Sequence, residues 1–522
     1  MSVIYDTPTY PQFGNIYPGD YYEALPFDEY IDRSQPLPTG GNVFDIRDFG
    51  AVPERYRLNT GAFMAAARAC EEAGGGTILV AGGSYWLGSV RVPSNTTLFI
   101  AADAEIVASR NMEHMRVPAD EGQGNEHGAT GFLCVDDAEN VVITGGGRIC
   151  GNGEWYVYEP RERPALAPFL LTALPRRDQA KQINTVPDTV RYYYRQRIRY
   201  AEDKYDEGLP RLNRPGFFVL IRGSRNVRVE NVILHGSMAW TLNLESSQCV
   251  TVRNVVIDDN RHVANTDGID ITGSSDVLID HCFVSCADDG IVVKNPVHTG
   301  RAMSNIRVKD CTVVTVMNAF KIGTETGNDI SNILVENCHF CMPDIYPGSV
   351  SGISIESCDG SHVSDVTLRN ITMDKVLCPL YICLNMRNRY GDPYTDEIGA
   401  NRYWGGAIRD VTIENVCAEN AELPCIITGF ENRKQDGTPV RRPVEDVTIC
   451  NYHVTYRDNQ ELVQLPEVYG EFLFDYPESN AHGDVDAYGI WARHVDGLTL
   501  EDVHVTPRSC NTREMIMLRD VK

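Results

Sequence analysis

Residues 265–294 read NTDGIDITGSSDVLIDHCFVSCADDGIVVK and hold the densest chemistry in the chain. Asp267 and Asp288 stand 21 residues apart, and Asp289 follows directly. Carboxylates brought together repel one another, which raises the pKa of at least one of them. One carboxyl held protonated beside another kept ionised supplies a general acid and a general base. An alternating strand sends Asp288 and Asp289 to opposite faces. Both therefore reach one cleft only if ADDG lies at a bend or strand end, a place that suits Gly290. The same aspartates also fit a polar ladder or a calcium site, since carboxylate rows bind hard cations through oxygen.

Positioning these groups falls to a repeat. Short alternating strands broken by Asn or Asp recur as RNVRVENVIL (225–234), QCVTVRNVVI (248–257), SDVLIDHCFV (275–284), SNIRVKDCTV (304–313), SNILVENCHF (331–340) and SDVTLRNITM (364–373), and further copies follow to residue 505. With Val227, Val250, Val277, Ile306, Ile333 and Val366 as equivalent positions, the steps are 23, 27, 29, 27 and 33 residues. One such unit cannot bury its apolar face alone, whereas stacked units form a continuous core. Asn at the corner tolerates the left-handed conformation and can ladder with the Asn of the next coil. A β-propeller needs a period of roughly 40–45 residues. The expectation is an all-β fold, a right-handed parallel β-helix, and a 21-residue step then places Asp267 and Asp288 on adjacent coils.

Residues 60–73 carry apolar side chains at helical spacing before the glycine run 74–76, and predict a helix capping the first coil. Residues 1–42 form an aromatic-rich N-terminal arm, expected to pack on the solenoid or on another subunit in a homo-oligomer. Residues 43–522 are expected to be one β-helix domain, interrupted by a helical or loop insertion at about 155–215. Twelve Lys/Arg against seven Asp/Glu in 161–214 make the insertion locally basic, either a solvated face or an overhang of the cleft.

The 522 residues carry a formal net charge of −25, which argues against nucleic acid or an anionic membrane as partner. The first residues show no basic, apolar leader pattern and the 16 cysteines are sparse, so a cytoplasmic chain with reduced thiols is the expectation. Cys338 and Cys341 are spaced C-x-x-C, but no second pair stands at zinc-finger spacing. No cofactor and no resident metal are expected.

The motifs NTDGID at 265–270 and ADDG at 287–290, with FDIRDFGA at 44–51 and the run RPGFFVLIRGSRNVRVENVILHGSMAWTLNL from residue 214, resemble glycoside hydrolase family 28, the polygalacturonase-like pectinases. The likeness covers roughly residues 40–390. It implies an inverting glycosidase in which Asp288 protonates the leaving oxygen, while Asp267 and Asp289 activate water and Asn265 orients the loop. Acid and base should then lie roughly 6.5–9.5 Å apart. Two family motifs are altered. The family histidine position is Asn318 in MNAFKIGTE, with Lys321 entering nearby, and the Arg-Ile-Lys segment falls on SGISIES, with Ser354 and Glu356. Loss of those cations removes charge-assisted bonds to a uronate, each about 1.5–3 kcal/mol.

The expected function is an inverting, exo-acting hydrolase of pectin-derived or related plant oligosaccharides. Substrate-binding candidates are Asn265, Asp270, Lys294, Asn318, Lys321, Glu356, Trp240, Arg387 and Arg389, in each case against a purely structural role. The alternatives are a β-helix lyase, fructotransferase or epimerase, or a non-catalytic carbohydrate-binding solenoid.

Overall fold

At the corner of each coil the backbone turns through a left-handed residue, and the chain spends asparagine and aspartate there. Two columns of such corners run along the molecule. One contains Asn140, Asn226, Asp276, Asn305 and Asn332, and the other Asn231, Asn254, Asp310, Asn337, Asn370, Asn415 and Asn451, all with φ between 46° and 62°. A short amide or carboxylate side chain makes that conformation affordable. From Asn337 onward each amide of the second column also reaches the coil before it. Asn337 donates to Asp310 (3.1 Å), Asn370 to Asn337 (3.0 Å), Asn415 to Asn370 (3.0 Å) and Asn451 to Asn415 (2.8 Å).

Between the corners the strands pair in parallel with the register that the repeat predicts. Val141, Val227, Val250, Val277, Ile306, Ile333, Val366, Val411, Val447 and Leu498 are successive Cα partners. Their neighbours at every second position face a single interior of Val, Ile and Leu side chains running from Ile46 to Val495. The computed structural model describes residues 27–54, 57–115, 131–153, 215–259, 265–342, 348–387, 406–433, 437–456, 465, 468–474, 476–507 and 513–522. The architecture is a right-handed parallel β-helix, with solenoid strands from Val43–Asp45 to Glu514–Val521. The basic insertion, Arg389 and the first 26 residues lie outside the described residues.

The predicted cap is a helix over Thr60–Glu72, with Phe63, Ala66, Ala67 and Cys70 buried against the first coils. Of the N-terminal arm, residues 29–34 lie on the outside of the same chain's solenoid. Asn231 exchanges hydrogen bonds with the backbone of Asp32 (2.6 and 2.7 Å), and Tyr30 donates to Thr312 (3.0 Å) while stacking on His281 (4.9 Å between ring centroids). The arm thus occupies corner groups that elsewhere bond along the column.

A second excursion comes from the C-terminal end. Between the strands Val444–Tyr456 and Ala487–Pro507, residues 468–474 and 476–486 run back along the outer face. His482 meets Tyr381 (2.9 Å), Ser479 meets Ser351 (3.0 Å) and Glu478 reaches Asn318 and Lys321. This strap crosses several coils and ends beside the aspartates.

Candidate active site

Asp267, Asp289 and Asn318 occupy one column on three successive coils. Thr241 N donates to Asp267 O (2.8 Å), Gly268 N to Asp289 O (2.9 Å) and Gly290 N to Asn318 O (2.8 Å). The register partner of Asp267 is therefore Asp289, and Asp288 stands one residue before it. The column sits in the turn just before the strands Ile269–Thr272, Ile291–Asn295 and Asn318–Thr326. Glycine is required there for closeness rather than for a special dihedral. A Cβ on Gly268 would lie 2.4 Å from Gly290 O, and one on Gly290 2.3 Å from a Val313 methyl.

Asp288 and Asp289 share the cleft because the strand Phe283–Cys286 has ended and ADDG is a bend. The bend is pinned from three sides. Ala287 N donates to Thr266 Oγ1 (3.2 Å), Thr315 Oγ1 donates to the Asp288 carbonyl, and Asp289 N donates to Asp288 Oδ1 (3.0 Å). One oxygen from each of Asp267, Asp288 and Asp289 lies within 4.8 Å of the others. The scaffold holds them so: Asp267 and Asp289 are stacked in one column near the coil rise of about 4.8 Å, and Asp288 precedes Asp289 in the chain.

Each of the two column carboxylates has a lysine from the coil above. Lys294 Nζ lies 3.0 Å from Asp267 Oδ2 and 2.9 Å from Asp270 Oδ1, and 3.6 Å from the centre of the Trp240 ring. Lys321 Nζ lies 3.4 Å from Asp289 Oδ2, 3.0 Å from Glu478 Oε1 and 3.7 Å from Glu356 Oε1. Asn318 donates to Asp289 Oδ1 (2.8 Å) and to Glu478 (3.2 Å). Asp288 makes no ion pair among the described residues.

Protonation follows from this asymmetry. Burial, then repulsion from Asp267 and Asp289, holds the Asp288 carboxyl well above the usual range. Burial also lifts Asp267, but Lys294 opposes it, and the group settles at about 6. Asp288 thus holds its proton to higher pH than an ordinary carboxyl, while Asp267 is mostly ionised near neutral pH, the kind of split that acid–base cleavage needs. The lysines take the places beside Asp267 and Asp289 for which a cation would compete.

The other predicted residues are placed as follows. Asp270, Lys294, Asn318, Lys321 and Glu356 are all buried, with Asp270, Asn318, Lys321 and Glu356 at 0% exposure. Glu356 accepts from Ser354 (2.7 Å) and is pushed up to about 8 by burial, against the pull of Lys321. Trp240 packs on Phe217 (5.2 Å between ring centroids) beneath Lys294. Arg387 pairs with buried Asp359 (2.7 Å) and donates to Thr324 O (3.1 Å). Asn265 turns the chain into the motif with φ 58°.

Sequence reasoning missed Glu478 and Tyr476, which arrive on the strap, and Asp259. Tyr476 meets Thr324 Oγ1 (3.3 Å), with Lys321 and Arg387 lying 5.5 and 5.8 Å from its ring centre. Asp259 accepts from Thr241 (2.6 Å) and Ser237 N (2.6 Å), and burial pushes it to about 7. The doubled aspartate that ends VVIDDN was a signal for Asp259; nothing in the repeat pointed to Glu478.

Residues 199–430 match the family model described as glycosyl hydrolases family 28. A probable polygalacturonase of Vitis vinifera is 23% identical over 71% of this chain and 68% of its own length. A probable polygalacturonase of Arabidopsis thaliana is 23% identical over 66% of this chain and 61% of its own. The chain thus spans about two thirds of these relatives. Among solved structures, a hyperthermoactive exopolygalacturonase from Thermotoga maritima superposes with a TM-score of 0.58 at 19% identity, covering 83% of this chain and 90% of that one, a likeness of fold. With the NTD and DD aspartates stacked on adjacent coils of that fold, residues 199–430 are similar to glycosyl hydrolases family 28, and this likeness, with that to the polygalacturonases, supports a glycosidase.

Proposed function

We propose that this glycosidase cleaves pectin-derived or related plant oligosaccharides from one end, with inversion, and that the sugar held at the aspartates is neutral. The observation that carries the reading is the state of the cations. Lys294 and Lys321 are buried and already bound to carboxylates, and Arg387 is bound to Asp359. Glu356 and Glu478 hold Lys321, where a uronate carboxylate would need a positive partner. A sugar with only hydroxyls does not compete for that lysine.

Asp288 delivers its proton to the glycosidic oxygen as the bond breaks. Asp267, kept ionised by Lys294, takes a proton from the water that attacks the anomeric carbon, and Asp289 shares that water. The likeness to family 28 supports inversion. Exo action is carried over from the Thermotoga maritima exopolygalacturonase, whose fold the chain shares. A cytoplasmic site of action belongs to the same proposal and is checked by cell fractionation.

The test is a panel of neutral aryl-glycosides, neutral pectin side-chain oligosaccharides and oligogalacturonates, with products followed by NMR. Turnover of a neutral glycoside to the inverted anomer is expected, and Asp288→Asn should slow it on the order of 10²–10⁴-fold. Preference for oligogalacturonate would overturn the neutral sugar. A retained anomer would select double displacement, an unsaturated product would replace hydrolysis with elimination, and random mid-chain cuts would end the exo reading.

A further inference from the structure

Five coils along the axis from Asp288, the outer face carries a different set of donors. His453 and His504 are Cα partners on the last two coils, and Cys417 is the Cα partner of His453 on the coil before. Asp502 occupies the corner of the last coil, with φ 51°, in the column that Asn415 and Asn451 occupy below it. His504 Nε2 lies 2.8 Å from Asp502 Oδ1 and His453 Nε2 4.0 Å from Asp502 Oδ2, with the imidazole centroids 4.7 Å apart. One donor atom from each of His453, Asp502 and His504 lies within 4.8 Å of the other two, and Cys417 is an exposed free thiol.

From this we propose that the C-terminal coils bind a first-row divalent transition metal, with Zn²⁺ as the preferred ion. His453, His504 and Asp502 are the ligands, and Cys417 is the fourth. The chemistry of the donors sets the class. Imidazole nitrogens with a thiolate suit zinc and exclude calcium and magnesium, which want oxygen. The backbone sets the feasibility. A parallel ladder holds partner residues about 4.8 Å apart, so side-chain rotation alone brings the nitrogens and the carboxylate to zinc-bonding distance. The corner at Asp502 matters too. A left-handed residue there turns the carboxylate toward the histidine ladder, where an asparagine would continue the amide column. A metal at this position ties the second half of Ala487–Pro507, on which no further strand pairs among the described residues, to the two coils below.

Full-length protein stripped with EDTA and titrated with ZnCl₂ against a chromophoric chelator is expected to bind one equivalent more than the His453→Ala/His504→Ala variant. CaCl₂ should not compete. Glycosidase activity, seated five coils away, should be equal in both. With Co²⁺ in place of zinc, a thiolate-to-metal charge-transfer band should appear and vanish in Cys417→Ser. In the unsubstituted protein, Zn²⁺ should slow alkylation of Cys417 by iodoacetamide at least tenfold, a readout that needs no variant to fold. Equal zinc stoichiometry in the histidine variant, or an unchanged alkylation rate, overturns the site. A cobalt spectrum unaltered by Cys417→Ser overturns the sulfur ligand.

Discussion

At the scale of single residues, the site is an arrangement of unequal carboxylates. Lys294 serves Asp267 and Lys321 serves Asp289, while Asp288 has no cation of its own among the described residues. The role of each acid follows from that pairing. Replacing Lys294 with methionine keeps the packing volume but leaves Asp267 and Asp270 buried without their counter-charge. The acid limb of the activity profile, set by Asp267 near pH 6, should then move upward, because a base whose proton is harder to remove needs a higher pH to work. In the parent enzyme activity should rise through about pH 6 as Asp267 ionises and fall only when Asp288 loses its proton, well above the usual carboxylate range. Initial rates across pH for both proteins check this, with kcat/KM of Lys294→Met down on the order of 10²-fold at pH 7. An acid limb that stays near 6 in the variant would detach Lys294 from the base. The identities of Lys294 and Lys321 were legible in the sequence as cations near the motif. Their partners were not, because a side chain reaching back to the previous coil is fixed by the register and not by local spacing.

At the scale of elements, the turn between strands decides whether the acids meet. Gly290→Ala places a methyl 2.3 Å from Val313 and 2.7 Å from Ala319 O. The coils must part at the aspartates, so a loss of about 1–3 kcal/mol is expected, read as a lowered Tm, together with lost activity. Unchanged melting would mean that the coils are looser there than the contacts show. Asn370→Ala removes a left-handed asparagine that bonds to Asn337 below and receives Asn415 from above. It should cost about 1–2 kcal/mol in denaturant unfolding without touching kcat. Both features were readable in the repeat: the equivalence of Val227 through Val366 gives the register, and N at the corner gives the column. The pairing of Asp267 with Asp289 instead of Asp288 was not, since one residue of bend cannot be counted from the spacing alone.

At the scale of the molecule, a charge of −25 surrounds a cleft whose own cations are already paired. An oligogalacturonate approaching it meets a repulsive field that salt screens, whereas a neutral oligosaccharide does not. Raising ionic strength from about 0.01 M to about 0.15 M should therefore raise kcat/KM several-fold for any residual action on the anionic substrate and leave the neutral one unchanged. Equal salt response for both would show that the field does not reach the substrate. The expectation of one solenoid rested on a period near one coil. The strap was not legible, because residues 468–486 break the repeat and carry no pattern naming their destination.

That strap has a consequence for the order in which the protein is made. Asp267, Asp288, Asp289 and both lysines are synthesised within about sixty residues of one another, and the coils that hold them can stack as they emerge. Glu478, which stands 160 residues after Asn318, arrives only once the coils up to Tyr456 have been laid down. A chain ending at Tyr456 owns its acid and its base, yet Lys321 has lost its nearest carboxylate. Completion of the far end is thus recorded at the centre, as the third partner of a buried lysine.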